Sequence, residues 1–206
     1  MKKILFSLMA LSLIMISCKN DEKPADAAAA ATQPKKKLTP AEEQKAWMDY
    51  ATPGAMHQWM AKSVGTWDGD MTMWMNPDSP AVKAKGVAEY RMIMDGRYLQ
   101  SWHKSNMMGM PFEGESTMAY DNITKKFLSS WIDNMGTGVM NLEGTYDEKT
   151  KTLTSTGKMI DPMAGGEVGV KEVVTFLDDN TQKMEMYCTR DGKETKTMEM
   201  MAKKRK

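Results

Sequence analysis

The sequence has few of the residues that most often carry out chemistry. Its 206 residues include two cysteines and two histidines, and its charges nearly cancel, with a formal net charge of +1. Two cysteines cannot build a disulfide framework, and the nearly neutral charge gives no reason to expect a broad surface for nucleic acid. The apolar run over residues 4–16 is shorter than the roughly 20 residues that a transmembrane helix needs. We therefore expect no nucleic-acid partner, and that run should not span a membrane.

Familiar catalytic and metal-binding motifs are also missing. The sequence has no Gly-x-Ser-x-Gly, no glycine-rich phosphate loop, no His-Glu-x-x-His and no cysteine pairs at zinc spacing. Two histidines leave few bases that could activate a nucleophile. Glu113 and Glu115 share one strand face, which is typical of a solvated surface. The sequence therefore predicts no cofactor, no metal site and no recognisable enzyme, although Asp or Tyr chemistry stays open.

The N-terminus has the three parts of a secretory signal, namely two lysines, the apolar run over residues 4–16, and a small residue before Cys18. The segment Met15-Ile16-Ser17-Cys18 resembles the end of a bacterial lipoprotein signal. In that class of signals the leader is cleaved before the cysteine, and the cysteine is acylated. The resemblance implies a signal peptide over residues 1–17, an acyl chain such as palmitate on Cys18, and a location in the cell envelope with the membrane as a partner.

Residues 18–38 are polar and rich in alanine, with prolines and no aromatic residue. Such a segment is typical of a flexible tether, and its length would place the next domain roughly 25 Å from the lipid. Thr39-Pro40-Ala41-Glu42 then combines a capping residue, proline at the first helical position and glutamate three residues after the cap. These signals predict two short helices over residues 39–64 that pack on the following domain.

After Gly65 the apolar pattern changes to a period of two and keeps that period to the C-terminus. Turn signals such as Asp95-Gly96 and Asp191-Gly192 separate about ten candidate strands. Short connections make consecutive strands neighbours, and a meander avoids exposed edges by closing. The sequence therefore predicts an all-β fold, in which an antiparallel meander over residues 65–206 closes into a barrel of about ten strands.

Several motifs resemble known families. Gly65-Thr66-Trp67-Asp68-Gly69 is similar to the opening of the first strand in the lipocalin-like, or calycin, superfamily. Three further segments resemble a bacterial domain family of unknown function, over about residues 50–203. These segments are Gly96-Arg97-Tyr98-Leu99-Gln100, Met107-Met108-Gly109-Met110-Pro111-Phe112-Glu113-Gly114 and Trp131-Ile132-Asp133-Asn134-Met135-Gly136-Thr137-Gly138. The resemblance implies a calycin-like barrel but no substrate. By analogy with the superfamily, Trp67 would have a structural role at one end of the barrel, beneath Lys203.

A barrel of this size can hold one small ligand. The chain has 24 methionines, and several alternate within strands, as Met184/Met186 and Met198/Met200 do. Flexible thioethers adapt to varied apolar ligands, which favours a site for a small hydrophobic ligand in the barrel. The candidate lining residues are Trp102, Trp131, Met73, Met92, Met118 and Met140, with Gln100 and Ser129 as polar groups that would orient the ligand. The open alternative is a filled barrel with a structural or partner-binding role, and the sequence leaves the oligomeric state open.

Two further hypotheses rank lower. Thioethers suit Cu(I), but the methionines are spread over many strands and cluster only at Met107, Met108 and Met110. Related small calycin barrels hold haem through histidine, but alternation with Trp102 predicts an outward side chain for His103, and His57 is also expected at the surface. Cys188 is expected to be buried and unpaired.

Overall fold

The structure is a computed structural model, and it describes residues 37–76 and 79–206. The predicted signal peptide, Cys18 and the tether as far as residue 36 lie outside the described residues. Two helices precede ten strands. The helices are α1 (Pro40–Ala51) and α2 (Ala55–Ala61), and the strands are β1 (Gly65–Met73), β2 (Val82–Ile93), β3 (Tyr98–Met107), β4 (Met110–Tyr120), β5 (Phe127–Asp133), β6 (Met140–Asp147), β7 (Thr152–Asp161), β8 (Gly166–Asp178), β9 (Thr181–Arg190) and β10 (Lys193–Lys204).

Each strand pairs antiparallel with the next one along the chain, and β10 pairs with β1, so the sheet is a closed barrel. This confirms the predicted fold. Its hairpins are tight. Between β3 and β4, for example, Met107 pairs with Met110, and the two turn residues have positive φ angles of 53° at Met108 and 84° at Gly109, as in a two-residue hairpin turn. In an open meander, β1 and β10 would be edge strands with unpaired backbone groups. In the closed barrel these two strands pair with each other.

Helix α1 begins at the predicted capping box. The Thr39 backbone N–H donates to the Glu42 carboxylate at 2.8 Å, and the Glu42 N–H donates to the Thr39 hydroxyl at 3.3 Å. No residue of α1 is buried. Its C-terminal end is held by the Asn122 side chain, which donates to the carbonyls of Tyr50 and Thr52 at 2.9 Å each. Within residues 37–76 and 79–206, no helix has the length and apolar character needed to cross a membrane.

Helix α2 closes one end of the barrel. Its Met60 is completely buried and packs with Leu99, Phe127 and Leu153, which lie at the starts of β3, β5 and β7. The Trp59 ring lies 5.2 Å from the ring of Phe127 and also contacts Tyr146 and Phe176 at the ends of β6 and β8. We call this the plugged end. The opposite end, where β1 ends and β2 begins, is the far end.

A second apolar cluster lies nearer the far end and consists of Leu142, Val170 and Cys188. Cys188 is only 1% exposed and is not in a disulfide, as predicted for this residue. The residues of the barrel interior therefore form one apolar cluster beneath α2 and another beyond mid-height.

Trp67 lies at the plugged end, where it is 3% exposed and its indole N–H donates to the Ser63 carbonyl at 2.8 Å. The basic group beside it is Lys204, whose Nζ is 5.9 Å from the ring centroid and donates to the Lys62 carbonyl at 3.0 Å. The prediction of Lys203 is wrong, because Lys203 pairs with the outward-facing Asp68 and is exposed.

Candidate functional site

The inner face of the barrel is identified by the residues that pack against α2, such as Leu99 on β3 and Phe127 on β5. Side chains alternate between the two faces of each strand, and directly paired residues share a face. From these two facts the pairing assigns every strand. The candidate lining residues on the inner face are Trp131, Met73, Met92, Met118, Met140 and Ser129. Their role in ligand binding stays a prediction.

Trp102 and Gln100 lie on the outer face, so their predicted place in the lumen is wrong. Both alternate with Leu99, whose contact with α2 sets the register of β3. The Arg91 guanidinium covers the Trp102 ring at 4.1 Å from its centroid. The Gln100 side chain accepts a hydrogen bond from Arg91 at 3.2 Å and donates to Glu115. On the outer surface, Trp102 therefore has a cation–π partner and Gln100 has hydrogen-bond partners.

His103 faces the lumen, which corrects its predicted outward position. Its Nε2 is 2.9 Å from the Ser101 hydroxyl, and its ring lies 5.7 Å from the ring of Tyr90 and 5.0 Å from that of Trp131. Burial lowers the pKa of His103 to about 4. The imidazole is therefore neutral at physiological pH and is held between two aromatic side chains.

His57 is also buried, at 6% exposure, and not at the surface as predicted. It lies on α2, where its Nδ1 accepts a hydrogen bond from the Gly54 N–H at 3.0 Å. Its ring meets the Tyr120 ring edge to face at 5.9 Å. Burial and the nearby Arg97 charge lower the pKa of His57, so this histidine also stays neutral at physiological pH.

One wall of the lumen consists of methionine side chains from three neighbouring strands, β9, β10 and β1. Cross-strand pairing places them next to one another. They are Met71, Met73, Met184, Met186, Met198 and Met200, and we call them the methionine wall. Each of these side chains is only partly buried. The wall is therefore an apolar surface built from flexible side chains.

A carboxyl group lies among the apolar residues of the interior. Glu172 on β8 alternates with Val170, which belongs to the second apolar cluster, and with Val174, which packs against the cluster beneath α2. Its cross-strand partners are Ser155 and Met186. Burial raises the pKa of Glu172 to about 7. Within the described residues, no side chain forms an ion pair or a hydrogen bond with this carboxyl.

Other polar side chains also face the lumen. Tyr90 packs against the cluster beneath α2, and burial together with the negative charge of Glu172 raises its pKa. Further inward-facing polar side chains lie on β3, β4, β5 and β7. Together the polar layer consists of Tyr90, Ser101, His103, Ser116, Ser129, Ser155 and Glu172. Within it, Glu172 lies between residues of the two apolar clusters.

Several members of the polar layer are only partly buried. Among the residues that the structure describes, every fully buried polar side-chain atom has a hydrogen-bond partner. The hydroxyls of Ser116 and Ser129 and the carboxyl of Glu172 have no such partner, so these atoms must be accessible. They point inward, and in a filled barrel they would be buried and unpaired, which costs free energy. A lumen with room for a ligand would leave these groups accessible in this way.

The outer surface carries a separate depression of about 450 Å³ across β1, β2 and β3. Its walls include the exposed charged side chains of Asp68, Asp70, Lys85 and Lys104. Apolar ligands bind in enclosed apolar sites with a few polar groups. The lumen has that character and this open charged depression does not, so the lumen is the candidate site.

Sequence reasoning missed Glu172 and Tyr90. A signal for Glu172 was present, because Val168, Val170 and Val174 alternate with it and place it in phase with the buried face of its strand. A lone acid in phase with buried apolar residues is unusual.

In the described part of the chain, no three His, Cys, Asp or Glu side chains converge to hold a metal ion.

The chain is similar to known proteins at the level of family and fold. A family model described as "Protein of unknown function (DUF1579)" matches residues 52–204, and no curated protein matches the sequence. Rv2717c from M. tuberculosis superposes with a TM-score of 0.58 at 10% identity, over 75% of this chain and 100% of that one. The S-type phycobiliprotein lyase CPES from Guillardia theta superposes with a TM-score of 0.54 at 10% identity, over 78% of this chain and 97% of that one. Both are calycin-like barrels, and likeness at this identity shows the fold alone.

Proposed function

This chain belongs to the DUF1579 family of proteins of unknown function, and we propose that its barrel binds one small, mainly apolar ligand in the lumen. The observation that carries the proposal is the set of unpaired, accessible polar atoms that face inward at mid-height. Ligand sites typically combine an apolar lining with a few convergent polar groups. The methionine wall supplies the lining, and the polar layer supplies groups that can orient the ligand.

The competing function is a filled barrel with a structural or partner-binding role. A filled interior would bury its lining to the density of a protein core, with few voids larger than a water molecule. The partial accessibility of the methionine wall and of Glu172 supports the ligand-binding function over this alternative.

Two adjacent serines on β5 allow a matched test of the lumen site. Ser129 pairs with the inner-face residues Met118 and Leu142, and Ser130 pairs with residues of the outer face. We expect the neutral fluorescent probe N-phenyl-1-naphthylamine to bind the wild-type protein saturably, with one probe per barrel. Ser129→Phe should weaken binding at least about tenfold, because its ring occupies the lumen, which corresponds to about 1.4 kcal/mol.

Ser130→Phe is the control, since it adds the same ring to the outer face of the same strand and should leave probe affinity unchanged. Thermal unfolding of both variants verifies that each barrel is folded. The ligand-binding function is contradicted if the wild-type protein shows no saturable probe binding, or if the two folded variants lose affinity equally.

We further propose that the barrel is attached to a membrane of the cell envelope through acylated Cys18. The support for this proposal is the leader sequence and the polar tether that follows it. In cells fed labelled palmitate, we expect the wild-type protein and Cys188→Ala to carry label and Cys18→Ala to carry none. Cys188→Ala is the matched control, because Cys188 lies inside the barrel. Label that persists in Cys18→Ala would contradict the proposal.

A further inference from the structure

Glu172 is an interior carboxyl group that has no ion-pair or hydrogen-bond partner among the described residues. It lies between Val170 and Val174, with Met186 beside it on β9. The nearest polar side chain along the sheet is Ser155, directly opposite on β7. An ionised carboxylate in such surroundings is costly unless a cation or several hydrogen-bond donors accompany it. A hydroxyl can donate only one hydrogen bond.

The basic side chains of the barrel interior lie at its two ends and are already paired. At the far end, the Arg190 side chain donates to the Asp161 carboxylate at 2.6 Å. At the plugged end, Lys204 donates to the Lys62 carbonyl and lies over Trp67. Neither group is at the height of Glu172, which lies between the two apolar clusters.

The other titratable groups around the lumen carry no positive charge at neutral pH. These groups lie on the strands that face or adjoin β8 and on α2. They are Tyr90, His103, Asp133, Tyr146, Cys188 and His57. Burial lowers the pKa of both histidines. A positive partner for the ionised form of Glu172 would therefore have to come from a bound ligand.

We propose that the barrel selects an amphiphilic amine, whose apolar body lies on the methionine wall and whose protonated amino group pairs with the Glu172 carboxylate. This inference rests on the proposed ligand-binding function and names the ligand class. A ligand with a carboxylate would bring a second negative charge to the same carboxyl. An alcohol of the same length would provide a hydrogen bond but no charge.

The pH dependence of amine binding follows from the pairing of its protonated amino group with the Glu172 carboxylate. Because burial raises the pKa of Glu172 to about 7, its carboxyl is mostly protonated at pH 5.5 and mostly ionised at pH 8. A primary amine, with a pKa near that of lysine at about 10.4, stays protonated over this range. Its affinity should therefore rise by about 30-fold from pH 5.5 to pH 8, and the affinity of a neutral alcohol should not rise.

The test is a displacement experiment with three ligands of equal chain length. Decylamine, decanol and decanoic acid compete with N-phenyl-1-naphthylamine for the wild-type protein and for Glu172→Gln. At pH 8 we expect decylamine to bind at least about tenfold more tightly than decanol, or about 1.4 kcal/mol, and decanoic acid to bind most weakly. Glu172→Gln should reduce decylamine to the affinity of decanol and remove the pH dependence.

Glu167→Gln is the matched control. Glu167 lies on the outer face of the same strand, where it pairs with Lys158 at 3.0 Å, so this variant should behave as the wild type. Equal affinities of decylamine and decanol, tightest binding of decanoic acid, or an amine preference that survives in Glu172→Gln would each overturn the inference. Decanol binding would still uphold the ligand-binding function. If neither the probe nor decanol binds, both proposals fail.

Discussion

Replacing Trp67 with alanine is expected to lower the free energy of unfolding by about 3–5 kcal/mol, the range for a buried aromatic side chain truncated in a core. Trp67 connects three parts of the molecule. Its indole N–H donates to Ser63 in the segment between α2 and β1. Its ring lies 6.3 Å from the ring of Tyr90 on β2, and the Lys204 ammonium lies above it from β10. The substitution removes all three contacts together.

The control for this prediction is Trp102→Ala. Trp102 is the same residue type in the same barrel, but it lies on the outer face beneath Arg91. Its truncation removes a solvent-exposed cation–π contact, which contributes about 0.5–1 kcal/mol, and part of an outer apolar surface. Urea unfolding monitored by circular dichroism measures both losses. A loss for Trp67→Ala no larger than that for Trp102→Ala would show that Trp67 does not hold the plugged end together.

Replacing Met60 with alanine is expected to destabilise the protein by about 2–5 kcal/mol, as for other large buried aliphatic side chains. Met60 is the completely buried residue of α2, and it inserts among Leu99, Phe127 and Leu153. These three residues belong to three different strands. Truncation therefore leaves a cavity at the point where the helix holds the strand ends together.

Met48→Ala is the control for Met60→Ala, because Met48 lies on α1 with 61% of its surface exposed. Alanine favours the helix at least as well as methionine, so we expect Met48→Ala to change stability by less than about 0.5 kcal/mol. Urea unfolding of the two variants provides the comparison. Similar stabilities for both would mean that α2 rests on the barrel without closing it.

The sequence was sufficient to predict the elements because their signals are local. A period of two, interrupted by residues that favour positive φ, predicts strands and hairpins without knowledge of distant contacts. The capping box at Thr39 is equally local. Closure into a barrel followed from one general requirement, the pairing of both edges of the meander.

The lumen could not be assigned from the sequence, because the face that a strand turns inward depends on distant packing. On β3, Trp102 is more apolar than Ser101 or His103, so hydrophobicity alone favours Trp102 as the inner residue. The contact between Leu99 and α2 reverses that assignment. Ser101 and His103 then face inward, where they satisfy each other through a hydrogen bond.

A register shift in β10 places Lys204, and not Lys203, beside Trp67. The pairing of β10 with β9 shifts between Lys196 and Met198. Thr195 lies opposite the inward-facing Cys188, and alternation counted from Thr195 would turn Lys203 inward. The irregularity moves the inward positions by one residue, so that Lys204 faces Trp67. A bulge of this kind changes the face of every later residue in the strand.

The pairing of β1 with β10 also has a consequence for how the chain folds. The two strands lie at opposite ends of the barrel sequence, and the sheet closes only when they pair, as Trp67 does with Lys204. Contacts of such large sequence separation form slowly. Until they form, β1 and β10 present unpaired edges that can recruit other chains. We therefore expect closure to be the slow step of folding, and the period before it to be when the protein is most prone to aggregate.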